Sequence, residues 1–231
     1  MTSFSTSKIF IVVPAYNEGT VIRSTLKPLV DQGFSVVVVD DGSRDNTSRR
    51  LKDLGVYRLR HPFNLGQGAA LQTAVSYALQ QGAAFIVHFD ADGQHSPEDI
   101  HGLLEPVIAG KADVVLGSRF LRQEDWQAVP PTRRLLLKGA VFVNWLLTGL
   151  WLSDAHNGAR AFSRRAAQQI VLRENGFAHA SEILQQIRSM RLRFLERPTR
   201  IRYTKYSLLK GQRIWNALDI FVDLVIRRVL R

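Results

Sequence analysis

The 231-residue chain contains no cysteine. That excludes disulfides, thiolate metal centres and a cysteine nucleophile. It has no run of apolar residues long enough to cross a bilayer. Its longest uncharged stretch, Gly139 to Ser153, spans about 22 Å as a helix, against a hydrocarbon core of about 30 Å. That stretch is expected to be a buried or interfacial helix. The start, Met1 to Lys8, is rich in Ser and Thr and has no apolar core behind a basic end, so it does not read as a signal peptide. A cytoplasmic chain is the expectation. Internal repeats and low-complexity linkers are also missing.

Acidic residues are scarce in one half only. Residues 1–110 hold 9 Lys/Arg and 11 Asp/Glu, whereas residues 111–231 hold 22 and 9. The second half therefore carries a net +13, more than the whole chain's +11, and calls for an anionic partner. It has no recognised RNA- or DNA-binding motif, and its apolar segments suit lipid, so no nucleic-acid partner is expected.

What is present is a repeated alternation. Ile9–Val13, Ser35–Val39, Tyr57–Leu59, Phe85–Phe89 and Asp113–Gly117 read as strands, mostly continuous apolar runs. Helical segments fall between them, at about Thr20–Gln32, up to Leu54, from the run Asn64–Ala70 to Gln81, and from Ser96 to Gly110. Pro14 is expected to end the first strand, because proline cannot donate to a central ladder. The fold class is α/β, a Rossmann-like, mostly parallel sheet with helices on both faces. Later segments are expected to be helical from near Ser163 and through Gly176–Met190, then extended over Leu195–Tyr203. Arg213 to Arg231 is patterned as an amphipathic helix with a basic tip, suited to an anionic membrane surface or to packing on a partner.

In open parallel sheets ligands bind at the carboxyl ends of the strands. Polar clusters sit there at 14–18, 40–47, 90–95 and 117–119. Asp90 and Asp92 are two apart. If strand pairing persists, their carboxylates converge, and two adjacent anions call for a cation. Hard oxygen donors suit Mg²⁺ or Mn²⁺, with Gln94 as a third oxygen. His95 reads as a loop residue or as a support behind the two carboxylates. Gly66 and Gly68 read as positions of close backbone approach or of helix–strand packing. His156 and His179 are candidates for a pair beside a second substrate.

Five motifs stand in order: Pro14-Ala15-Tyr16-Asn17-Glu18, Val39-Asp40-Asp41-Gly42-Ser43, Asn64-Leu65-Gly66-Gln67-Gly68, Asp90-Ala91-Asp92-Gly93-Gln94-His95 and Gly117-Ser118-Arg119. Together they resemble family-2 glycosyltransferases of the GT-A fold, nearest the polyprenol-phosphate (dolichol-phosphate) mannosyltransferases. The resemblance covers residues 8–165 well. It implies a GT-A domain over 1–203, with a nucleotide-sugar half at 1–119 and an acceptor half at 120–203, and a basic amphipathic segment at 204–231. It implies that Pro14, Tyr16, Glu18, Asp41, Asp90, Ala91 and Asp92 bind the nucleotide sugar. Asp90, Asp92 and Gln94 would hold the metal, and Asp92 and Arg119 would be catalytic. Arg119, Arg133, Arg134, Lys138 and Arg160 are candidates to hold the phosphate of a polyprenyl acceptor. A hydroxyl acceptor would instead need a base, for which Asp154 and Glu182 are available. The segments Tyr203–Ser207 and Lys210–Arg213 are expected to close over the diphosphate. The implied enzyme works peripherally at the inner face of a membrane, alone or with a small membrane-protein partner.

Overall fold

The computed structural model describes residues 6–121, 139, 141, 145–146, 148–154 and 157–201. Seven strands form one sheet: β1 (Ile9–Ala15), β2 (Ser35–Asp40), β3 (Tyr57–Arg60), β4 (Phe85–His88), β5 (Val114–Ser118), β6 (Arg160–Ser163) and β7 (Phe194–Pro198). Their order is β3-β2-β1-β4-β6-β5-β7. Only β6 runs against its neighbours; β1, β2, β3 and β4 are mutually parallel, as are β5 and β7. The helices are α1 (Ile22–Asp31), α2 (Thr47–Arg50), α3 (Gln67–Gln80), α4 (Asp99–Ile108), α5 (Arg164–Gln169) and α6 (His179–Ser189).

Both faces of the sheet are covered, which is why β1 and β2 are apolar at nearly every position. Alternate side chains feed two cores. Phe10 and Val12 join Ala70, Ala74, Ala78 and Ile183 on the α3, α5 and α6 side. Ile9, Ile11 and Val13 join Ile22, Leu26 and Leu103 on the α1 and α4 side. Ala70, Ala74 and Ala78 recur every four residues along α3 and are fully buried. Their small size lets that helix lie close against β1.

Pro14 corrects the sequence expectation: it continues β1, opposite Val39 of β2. Phe89 N donates to Val12 O, and Asp41 N donates to Ala15 O. Residues 12 and 14 of β1 therefore face the β4 side, and 13 and 15 face β2. Pairing with β4 stops at Val12, so the missing donor of Pro14 points where the ladder has already ended.

Strand β6 was not foreseen. It is only four residues long and sits inside the polar, glycine-bearing run that follows Asp154. It lies antiparallel between β4 and β5, so the second half of the chain is built into the sheet of the first. The strand order also reverses between β1 and β4: β2 and β3 lie to one side, and β6, β5 and β7 to the other. Loops leaving β1 and β4 diverge at that point and open a crevice at their carboxyl ends. No described helix is long and apolar enough to cross a membrane. Arg133, Arg134, Lys138, His156 and the segment 204–231 lie outside the described residues.

Candidate active site

The crevice is walled first by short polar cross-links between loops. Asn17, with a positive φ of 55°, donates from its backbone N to Ser43 Oγ, and its Oδ1 accepts from Arg44 N. Glu18 N donates to Thr47 Oγ1, and Gly19 N donates to Asp45 Oδ2. Ser43 and Asp45 thus tie the loop after β1 to the loop after β2. Pro14, Glu18 and Ala91 are buried, while Tyr16 is 39% exposed at the rim.

Asp41 does not offer an open carboxylate. It is buried, and its oxygens accept from Leu65 N, Gly66 N and the His61 ring Nδ1 at 2.7–2.9 Å. His61 Nε2 in turn meets Thr73 Oγ1 at 3.0 Å. In this structure Asp41 holds the loop that leads into α3.

Strand β4 ends at His88, so Asp90 and Asp92 are brought together by a turn and not by strand pairing. Their environments differ. Asp90 Oδ1 accepts from Gln67 Nε2 at 3.1 Å, and Asp90 Oδ2 meets His95 Nε2 at 2.9 Å. Burial raises its proton affinity, but the His95 hydrogen bond and then the nearby positive charges of His95 and Arg160 outweigh it. The carboxyl is held below its usual range. Asp92 accepts only from its neighbour Gln94, through N at 2.9 Å and Nε2 at 2.8 Å. Burial, then the Asp90 anion and Glu18, push Asp92 above the usual carboxylate range.

That imbalance is the local signature of a site suited to a cation. The two carboxylates are near enough for the Asp90 anion to raise the Asp92 pKa, and Asp92 is the one short of positive charge. The Gln94 amide oxygen is a third hard donor beside them. Among the described residues no cluster of three or more His, Cys, Asp or Glu is placed to hold a metal ion. Mg²⁺ commonly binds through one or two carboxylates and completes its shell with substrate phosphates and water. Asp90, Asp92 and Gln94 fit that mode.

The second half supplies the opposite wall. Arg119 follows β5 and forms a bidentate pair with Asp154: Nε to Oδ2 at 2.7 Å and Nη2 to Oδ1 at 2.8 Å, with the Arg119 backbone N on Oδ2 as well. Asp154 is buried. Arg160 opens β6 opposite His88 and is also buried; burial lowers its pKa to about 10, against the opposing pull of Asp90 and Asp154. His88 and His179 are both driven down by burial and by Arg160, His179 to about 4, so both are neutral near pH 7. Glu182 accepts from the backbone N of Arg173 and Glu174. Both candidate bases, Asp154 and Glu182, are thus engaged in holding structure.

Two positions, Gln67 and Gly158, lacked a sequence assignment, and His95 stood between two readings. Gln67 clamps Asp90 from the first turn of α3. His95 is no mere loop residue: it is buried, bonded to Asp90, and packed on Phe89 at 5.7 Å. Gly158 presses on the same carboxylate, since a Cβ there would stand 2.3 Å from Asp90 Oδ2. The only sequence signal was that Gln67 and His95 lie within motifs already marked. Gly66 and Gly68 pack against the loop before α6 and not against a strand. Their added Cβ atoms would stand 2.3 Å from Asn175 O and 2.0 Å from Glu174 O.

An uncharacterized protein of Methanocaldococcus jannaschii is 36% identical over 96% of this chain and 93% of its own length. The UDP-N-acetylglucosamine–dolichyl-phosphate N-acetylglucosaminyltransferase of Methanococcus voltae is 31% identical over 96% of both chains. Glucosyl-3-phosphoglycerate synthase from Mycobacterium tuberculosis, solved with Mn²⁺, uridine diphosphate and glucosyl-3-phosphoglycerate, superposes with a TM-score of 0.60. It is 21% identical, covering 88% of this chain and 75% of that one, and it shares the GT-A fold. Residues 10–171 match the model of Glycosyl transferase family 2, and this chain belongs to that family of glycosyltransferases.

Proposed function

We propose that this protein transfers a sugar, with inversion, from a nucleoside diphosphate sugar to a polyprenyl phosphate at a membrane surface. One observation favours a phosphate acceptor over a hydroxyl. The two carboxylates available as a base are committed, Asp154 to Arg119 and Glu182 to backbone N–H groups. A phosphate monoester is already anionic at neutral pH and needs no base. It needs positioning and charge neutralisation, which the Arg119 and Arg160 wall supplies. The relative from Methanococcus voltae bears a name that joins a sugar nucleotide to dolichyl phosphate, in keeping with this reading.

The proposed residue roles are these. Pro14, Tyr16 and Glu18 flank the nucleoside, with Asp41 fixing the loop behind it. Asp90, held by Gln67 and His95, and Asp92, with Gln94, would hold Mg²⁺ or Mn²⁺ against the donor diphosphate. A bound cation would offset the negative charge that builds on the leaving diphosphate. Arg119, steered by Asp154, orients the acceptor phosphate with Arg160. An oxygen of that phosphate attacks the anomeric carbon from the face opposite the diphosphate. The new C–O bond forms as the old one breaks, and the nucleoside diphosphate leaves with the bonding pair. Arg133, Arg134 and Lys138 are proposed to extend the cationic wall.

Transfer of label from UDP- and GDP-linked sugars to polyprenyl phosphate, in detergent with Mn²⁺ or Mg²⁺, tests the reading. Label in the lipid fraction, absent with Asp92→Asn, is the expected result. Metal-dependent donor hydrolysis without a lipid product would remove the lipid acceptor and leave the transferase.

A further inference from the structure

Strand β7 closes one edge of the sheet, and Glu196 stands on it beside Leu116 of β5. An acid on an edge strand is usually a solvated guard against further pairing. Glu196 is half-buried instead, and its carboxylate reaches the segment before β6. Oε1 accepts from Ser153 N at 2.9 Å and from Ser153 Oγ at 2.7 Å, and Oε2 accepts from Ser153 N at 3.1 Å. Asp154 N also donates to Oε1, at a longer 3.4 Å.

The chemistry of these groups fixes the direction of the bonds. An ionised carboxylate only accepts, and a serine hydroxyl has one hydrogen to give. Ser153 gives its hydrogen to Glu196, so the 2.6 Å contact between the Ser118 and Ser153 hydroxyls is a donation from Ser118. Ser118 Oγ in turn accepts from Phe120 N at 3.1 Å. The result is a one-way chain from Phe120 N–H through Ser118 and Ser153 to Glu196. Ser118 is buried, so a break in the chain leaves its hydroxyl unpaired, which is costly away from water.

The chain grips both sides of one ion pair. Ser118 and Phe120 flank Arg119, and Ser153 precedes Asp154, whose oxygens hold Arg119 Nε, Nη2 and backbone N. Ser118 and Ser153 are 35 residues apart, and Ser153 and Glu196 are 43 apart. Fastening β7 to the sheet does not require this chain, because β7 already pairs with β5 from Val114 to Ser118.

We infer that Glu196 is a positioning residue for transfer: through Ser153 and Ser118 it fixes the pose in which Arg119, steered by Asp154, meets the acceptor phosphate. This rests on the acceptor role proposed for Arg119. Steady-state kinetics with polyprenyl phosphate should compare Glu196→Ala, Ser153→Val and Ser153→Thr. Threonine keeps the hydroxyl, and valine has nearly the same shape without it. Expected with Glu196→Ala and Ser153→Val is a fall of about 10–10²-fold in kcat/KM for the acceptor, the scale set by misplacing a reacting group by about 1 Å. KM for the nucleotide sugar should not change. Ser153→Thr should keep most of the acceptor value. Equal losses with threonine and valine would overturn the inference, because shape and not the hydroxyl would then matter. So would a matching rise in KM for the donor, which would mean that the whole crevice had loosened.

A second measurement needs no acceptor. The Arg119 Nε–H resonance, assigned by its loss in Arg119→Lys, reports the bond to Asp154. It should shift or broaden in Glu196→Ala and Ser153→Val and keep its parent position in Ser153→Thr. A resonance unmoved in all three variants overturns the inference. A parent that hydrolyses the donor with metal but makes no lipid product sinks the acceptor reading alone, and the Arg119 resonance then decides whether the chain positions that side chain.

Discussion

The two walls of the crevice are held by different kinds of contact. Loops leaving β1 and β2 are cross-linked by hydrogen bonds from side chains to backbone, as between Glu18 and Thr47, 29 residues apart. Within the loop after β4, Asp92 is bonded to Gln94, two residues away. The second half reaches the same crevice through distant joins and bare backbone. Arg119 pairs with Asp154 35 residues on, Gly158 backs Asp90, and the loop before α6 backs Gly66 and Gly68. The first wall places charge, and the second fixes where that charge can sit. A substitution in the first should therefore cost chemistry with little loss of fold, whereas one in the second should cost both.

Asp92→Asn is the sharpest test, with the largest expected effect. Transfer should fall by about 10²–10³-fold, the scale seen when one charge-stabilising group is removed from an active site. Urea unfolding without metal should show stability unchanged or raised, because the substitution removes an anion that burial and Asp90 already disfavour. A variant that loses both activity and stability would place Asp92 among structural residues and erase the contrast.

Gly158→Ala probes the second wall at the same carboxylate. The new Cβ must displace Asp90 Oδ2, 2.3 Å away. Misplacing a reacting group by about 1 Å can cost about 10²-fold, and overpacking costs about 1–3 kcal/mol. Kinetics and urea melts should both register the change. Gly68→Ala lies further from the chemistry. Its Cβ meets Glu174 O at 2.0 Å and His179 Cβ at 3.0 Å, so a stability loss of about 1–3 kcal/mol is expected, with a smaller fall in transfer. Donor affinity untouched in Gly158→Ala would show that Asp90 moves freely and that the second wall does not position it.

The contrast also governs what could be read in the sequence. Strands β1 to β5, their helices and the loop clusters after them were legible, because each is a local pattern: an apolar run, then turn residues with carboxylates. The pairing of β6 was not, because four residues (Arg160–Ser163) gain strand character only from β4 and β5 on either side. Pro14 was misread for a related reason, since its tolerance depends on where a neighbouring strand stops. The role of Asp41 turned on donors from His61, Leu65 and Gly66, about 20 residues away. His95 and Gln67 stood inside marked motifs, yet nothing local says that both point at Asp90. Glycines gave the weakest signal. Gly66, Gly68 and Gly158 matter for what presses against them, and that is fixed by the second half of the chain.

The smallest effect belongs to a join within the second half that lies away from the site. Asp113, just before β5, accepts from Arg193 N and Nε on Oδ2 and from Nη2 on Oδ1, at 3.0–3.1 Å. The Arg193 hydrogen bond holds the Asp113 carboxyl below its usual range, against the opposing effect of burial. A folded-state pKa below that of the unfolded chain contributes stability above the unfolded value and loses it as pH falls through the folded one. The contribution should be present in full at neutral pH and fade below about pH 4, where a free aspartate begins to protonate. Arg193 is well exposed, so salt should screen much of it. Asp113→Asn should lower the urea midpoint slightly at pH 7 in low salt, and the gap to the parent should close as pH drops from about 5 to 3. Transfer at pH 7 should be unaffected, because β5 reaches the crevice through Arg119 at its other end. A gap that persists in acid would mean that the bond works through geometry and not charge, like the glycine contacts beside Asp90.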